Sequence, residues 1–91
     1  MSKTATKKQP ENTLKRDVSS MRKVLATRLY ELRTAAELSQ AALAESAGID
    51  RKTINRIENG HFSPSLDTLT RLSVVLKCRL SDLVEAKRTK R

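Results

Sequence analysis

The chain has 91 residues, 37% of them hydrophobic but only 2% aromatic, which allows one small domain with an aliphatic, helix-borne core and excludes a large ligand cavity. A net charge of +9 and a pI near 10.3 make a polyanion the expected partner, nucleic acid ahead of an acidic protein or an anionic membrane. No apolar run approaches membrane-spanning length, and the N-terminal stretch is basic without an apolar segment, so a cytoplasmic protein with no membrane partner is expected.

The charge gathers at the ends. Residues 1–23 carry seven Lys or Arg against two acids, and residues 85–91 carry four against one. The opening MSKTATKKQPEN is polar, lacks helical periodicity and contains Pro10, so residues 1–19 are read as a basic, disordered arm or one that lies along DNA. Leu14, Val18, Met21 and Leu25 nonetheless keep helical spacing, which suits either a helix that starts before the domain or an element that pairs with a second subunit. The first firm helix spans about Ser20 to Thr34, with Ser20 as N-cap and Leu25, Leu29, Leu32 and Ala36 on one face.

Ser39 is placed to cap a second helix that carries Leu43 and Ala44. Gly48 marks a turn, and Asp50 caps a third helix with Ile54 and Ile57 on one side. Gly60 stops that helix, Pro64 and Ser65 open a fourth with Leu66, Leu69, Leu72 and Leu76 close to one face, and a short fifth element covers Leu80 to Val84. The fold expected is all-α, a compact bundle of five short helices over residues 20–84 with a basic tail at 85–91. A strand at Leu80–Val84 is the alternative.

Between Gln40 and Asn59 the spacing is that of two short helices facing each other across a tight turn. Leu38, Ser39, Gln40, Leu43, Ala44, Ala47, Gly48, Ile49, Ile54, Ile57, Glu58, Asn59 and Gly60 follow the pattern L-S-Q, L-A, A-G, I, I, E-N-G. This stretch resembles the helix-turn-helix of the lambda-repressor and Cro family, and the likeness runs from about Val24 to Val84, including Pro64 to Leu69. It departs from that family where Lys77 replaces the usual Gly after the fourth helix and Arg79 replaces the usual capping Ser or Thr of the fifth.

On the third helix, at about 100° per residue, Arg51, Asn55, Asn59, Lys52 and Arg56 share one half of the circumference and Ile54 and Ile57 the other. A bland amphipathic surface helix would show the same split. The surrounding motif decides for a recognition helix, since Arg and Lys can bond guanine O6 and N7, and Asn can bond adenine N6 and N7. The resemblance implies base reading by Arg51, Lys52 and Arg56, with Asn55 beside them. It implies phosphate contacts by Gln40, Asn59 and the backbone after Gly60. It also implies a structural salt bridge between Arg33 and Glu58. Ser39 at the start of the second helix, Thr53 on the border of the polar face, where it could touch a thymine methyl or a phosphate, and His61 in the following loop are placed for phosphate or border contacts from their positions alone.

His61 and Cys78 are the only His and Cys and lie in different parts of the chain, so no metal set or Cys-His nucleophile assembles, and Cys78 reads as a reduced core residue. No enzyme and no cofactor are expected. Double-stranded DNA is the expected partner, bound by a homodimer joined through Leu80, Leu83 and Val84, since one recognition helix reads only a few base pairs. The alternatives are an antitoxin or similar module that holds a toxin or other protein, with DNA binding secondary, and a nonspecific nucleic-acid binder driven by its tails.

Overall fold

A computed structural model describes residues 11–87. Five helices follow one another: α1 (Glu11–Ala35), α2 (Gln40–Ala47), α3 (Arg51–Glu58), α4 (Leu66–Leu76) and α5 (Leu80–Val84). Among the described residues there is no strand, and the C-terminal element is helical.

α1 is 25 residues long and starts well before Ser20. No Pro or Gly stands between Pro10 and Gly48, and the Leu14, Val18, Met21, Leu25 spacing lets the same helix run back to Glu11. Ser20 is therefore an exposed residue inside α1 rather than its cap. Of residues 1–19, expected to form a disordered arm, residues 11–19 are helical and residues 1–10 lie outside the described residues. Ala36, expected on the core face, is exposed just beyond the helix end.

The core joins all five elements. Leu25 and Leu29 of α1 meet Leu43, Ala44 and Ala47 of α2, Ile54 and Ile57 of α3, Leu72 of α4 and Leu83 of α5. Leu29, Leu43, Ile54, Ile57, Leu72 and Leu83 are fully enclosed, each removing a whole aliphatic side chain from water, about 1.5–3 kcal/mol apiece. Upstream, Leu14, Val18 and Met21 stay exposed, because the core ends where α1 overhangs it.

The two short helices of the motif are fixed at their ends. The Ser39 hydroxyl accepts from the Ala42 amide at 2.9 Å, and Gly48 turns the chain at φ 69°. A side chain at Gly48 would meet Arg71 Nη1 at 3.1 Å, and that same nitrogen donates to the Ala47 carbonyl at 3.2 Å.

The corner after α4 keeps its geometry without the usual residues. Lys77 takes the left-handed conformation itself, at φ 54°, and its amide bonds the Val74 carbonyl at 3.2 Å. Arg79 has no acceptor to cap α5, and the first turn is closed instead by Asp82, whose Oδ2 accepts from the Arg79 amide at 2.8 Å. Replacing exposed Lys77 by Gly relieves a conformation that costs a side-chain-bearing residue about 1–2 kcal/mol, less the extra freedom Gly gains in the unfolded chain. Urea unfolding of Lys77→Gly is expected to show a net gain of roughly 0.5–1 kcal/mol, and a loss would mean the lysine stem contributes more than its backbone costs.

Leu66 also departs from expectation. It is 66% exposed, since at about 100° per residue it lies about 60° or more from the line of Leu69, Leu72 and Leu76.

Candidate nucleic-acid interface

α3 divides cleanly into two faces. Ile54 and Ile57 are fully buried, while Arg51, Lys52, Asn55 and Arg56 are exposed and Thr53 sits half-buried at the border. Asp50 opens the helix by accepting from the Lys52 amide at 3.2 Å. Among the described residues the ion pairs are Arg28–Glu31 and Arg33–Glu58, so no carboxylate neutralises Arg51, Lys52 or Arg56. The outer face is a set of cationic and amide donors with the shape and charge that the edges of a major groove accept.

The rear of α3 is tied to the other helices at one node. Arg33 Nε lies 2.7 Å from Glu58 Oε2, and Nη2 lies 2.9 Å from Oε1, a two-pronged contact. Arg33 Nη1 also donates to the Leu38 carbonyl at 2.8 Å, and Gln40 Nε2 donates to Glu58 Oε1 at 3.0 Å. The side chains of Arg33 and Glu58 keep only 11% and 7% of their exposure. The Glu58 hydrogen bond pushes the Arg33 guanidinium further above its ordinary range, against the opposing effect of burial. The Tyr30 ring covers the guanidinium at 5.4 Å.

The residues expected at the DNA backbone are therefore not alike. The Ser39 hydroxyl is spent on its own helix and the Gln40 amide group on Glu58. What α2 offers an anion is its first-turn backbone, the Gln40 and Ala41 amides, which have no preceding helical carbonyl to serve. Asn59 and His61 are exposed and follow directly from α3.

The expected dimer residues separate too. Leu83 is fully enclosed in the chain's own core and cannot present a surface, because filling the gap beneath α1 uses up its whole side chain. Leu80 and Val84 are half-buried against that core. Sequence reasoning passed over Val74, 68% exposed, which with Leu66 forms an outward apolar pair on α4. The signal was available, since both residues fall off the Leu69, Leu72 and Leu76 line.

Cys78 packs partly buried beside the core, and burial, reinforced by Asp82, pushes its thiol up. No cluster of three or more His, Cys, Asp or Glu among the described residues could hold a metal. No described helix is long and apolar enough to cross a membrane.

Two short helices packed across a glycine turn, the second bare and cationic outward, define a helix-turn-helix DNA-binding domain. The chain belongs to the helix-turn-helix family HTH_3, whose model matches residues 29–83. It is 34% identical over 59 residues to an HTH-type transcriptional regulator of Archaeoglobus fulgidus that has not been characterised, covering 65% of this chain and 84% of that one. Among solved structures it is similar to the restriction-modification controller protein C.AhdI of Aeromonas hydrophila, with 35% identity and a TM-score of 0.66 over 68% of this chain and 94% of that one. It is also similar to an HTH_3 family transcriptional regulator of Vibrio cholerae, with 27% identity and a TM-score of 0.69 over 72% of this chain and 37% of that one. This is a family of DNA-binding regulators and not of enzymes.

Proposed function

We propose that the protein is a repressor or autoregulator that binds a palindromic operator as a homodimer, with α3 in the major groove of each half-site. The observation that carries this reading is the outer face of α3, where Arg51, Lys52, Asn55 and Arg56 are all exposed and no acid intrudes. In this reading Arg51, Lys52, Asn55 and Arg56 meet base edges, with Thr53 at the border. Asn59, His61 and the first turn of α2 at Ser39 and Gln40 grip phosphates and set the register. The likeness to a restriction-modification controller favours regulation of that kind. The two subunits join through the outer side of α4 and α5, where Leu66 and Val74 are exposed and Leu80 and Val84 form the edge.

Selection from a random duplex pool tests the reading. The expected product is a two-fold symmetric consensus with half-sites about one helical turn apart, roughly 34–36 Å. A pool that returns no consensus, or a single unrepeated half-site, would defeat it. For the interface, Val74→Lys is expected to shift sedimentation at micromolar concentration toward the monomer while the circular dichroism spectrum stays fully helical, the melting temperature falling only by what the lost association had added. An unchanged mass would move the contact away from α4.

A second reading, an antitoxin-like module holding another protein, draws on the exposed Leu14, Val18 and Met21 stripe of α1, which the DNA-binding reading leaves unused.

A further inference from the structure

The part of α1 that precedes the matched family region carries its own ordered charge. Between residues 13 and 30 the bases are Lys15, Arg16, Arg22, Lys23 and Arg28, and the only acid is Asp17. At about 100° per residue, Lys15, Arg16, Arg22 and Lys23 fall within one sector of about 120°, and Asp17 lies roughly opposite its centre. Arg28 falls outside the sector and is held by Glu31 and the Asp82 carbonyl.

A one-sided charge run on a helix is usually only a solvated face. Three contacts distinguish this one, because the same face of α1 borders the segment that leaves the recognition helix. Tyr30 and Thr27 line a common hollow with Gln40 and Asn59. One turn earlier, Ala26 lies behind Gly60, where an added side-chain carbon would stand 4.0 Å from the Ala26 Cβ. A further turn back, Arg22 Nε donates to the Ser63 hydroxyl at 2.8 Å. The edge that begins at the phosphate-gripping residues therefore continues along α1 to Lys23, Arg16 and Lys15, all three exposed.

We infer that this overhanging face is a second DNA-backbone contact, in which Lys15, Arg16 and Lys23, with Arg22 as the hinge to the loop, hold phosphates outside the half-site read by α3. From Arg22 to Lys15 the helix advances about 10 Å, enough to pass about three base-pair steps. The contact carries no base specificity. It lengthens the footprint and adds salt-sensitive affinity.

This inference rests on the DNA-binding reading, and the test separates the two. The selected operator duplex is made in two lengths, one cut at the outer edge of each half-site and one extended by about six base pairs on each side. Affinity is measured over a salt series for the wild type and for the exposed triple variant K15Q/R16Q/K23Q, with thermal melting as the folding control. On the longer duplex the wild type is expected to show a salt slope steeper by roughly 5 units than on the shorter, at about 0.9 per phosphate neutralised for three phosphates on each of the two subunits. The variant loses that difference and keeps the same consensus. Hydroxyl-radical protection by the wild type beyond the half-site edge gives the same answer without any variant. Equal wild-type slopes on both duplexes, with no outer protection, overturn the inference while leaving the operator reading intact. Failure to select any duplex overturns both.

Discussion

Glu58→Ala is expected to lower the free energy of unfolding by about 3 kcal/mol, because removing one partner of a buried pair strands the other's charge. Arg33, at 11% side-chain exposure, would keep only the Leu38 carbonyl, and Gln40 Nε2 would lose its acceptor as well. For a domain whose whole stability is about 5–15 kcal/mol, that is a large part. The internal control is Glu31→Ala, which breaks the ion pair to Arg28 at a carboxylate that is 42% exposed and is expected to cost under about 0.5 kcal/mol. Chemical denaturation of the two variants side by side decides. If Glu58→Ala costs no more than Glu31→Ala, the node is not holding α3 in place.

Arg51→Ala and Arg56→Ala are each expected to weaken cognate binding by about 1–3 kcal/mol while changing random duplex much less, because each removes a candidate guanine contact. Deleting residues 1–10 is expected to do the reverse. It removes Lys3, Lys7 and Lys8, so affinity falls on every sequence and the salt slope flattens while preference among sites survives. Titration of cognate and scrambled duplexes over a salt series reads both effects. Equal weakening of the two duplexes by the Arg variants would mean that the outer face of α3 does not read bases.

Elements whose ends carry their own signals were legible from the residues. Ser39, Gly48, Asp50 and Gly60 announce where α2 and α3 begin and end, since each satisfies orphan backbone groups or takes a conformation other residues resist. The start of α1 was not legible in that way. Ser20 has the chemistry of a cap, but nothing between Pro10 and Ser20 breaks the helix, and a serine inside a helix looks the same in sequence as one at its start. At the other end, the left-handed Lys77 shows that a missing Gly signal does not remove the turn, because packing of α5 beneath α1 sets the path. The candidate site divides in the same manner. The two faces of α3 follow from periodicity alone, whereas the dimer residues Leu80, Leu83 and Val84 required knowing which apolar groups the core would consume, and it consumes Leu83 entirely.

α2 and α3 are each eight residues long, well short of the roughly 12–15 residues at which a free helix begins to persist in water. Their order is borrowed from α1, to which α3 is pinned at the node of Arg33, Glu58 and Gln40. A regulator built this way has no half-active form. Whatever draws α1 off the bundle, a protease, a chaperone or a helix that competes for its core face, takes the support from under α3 without touching one of its outward residues.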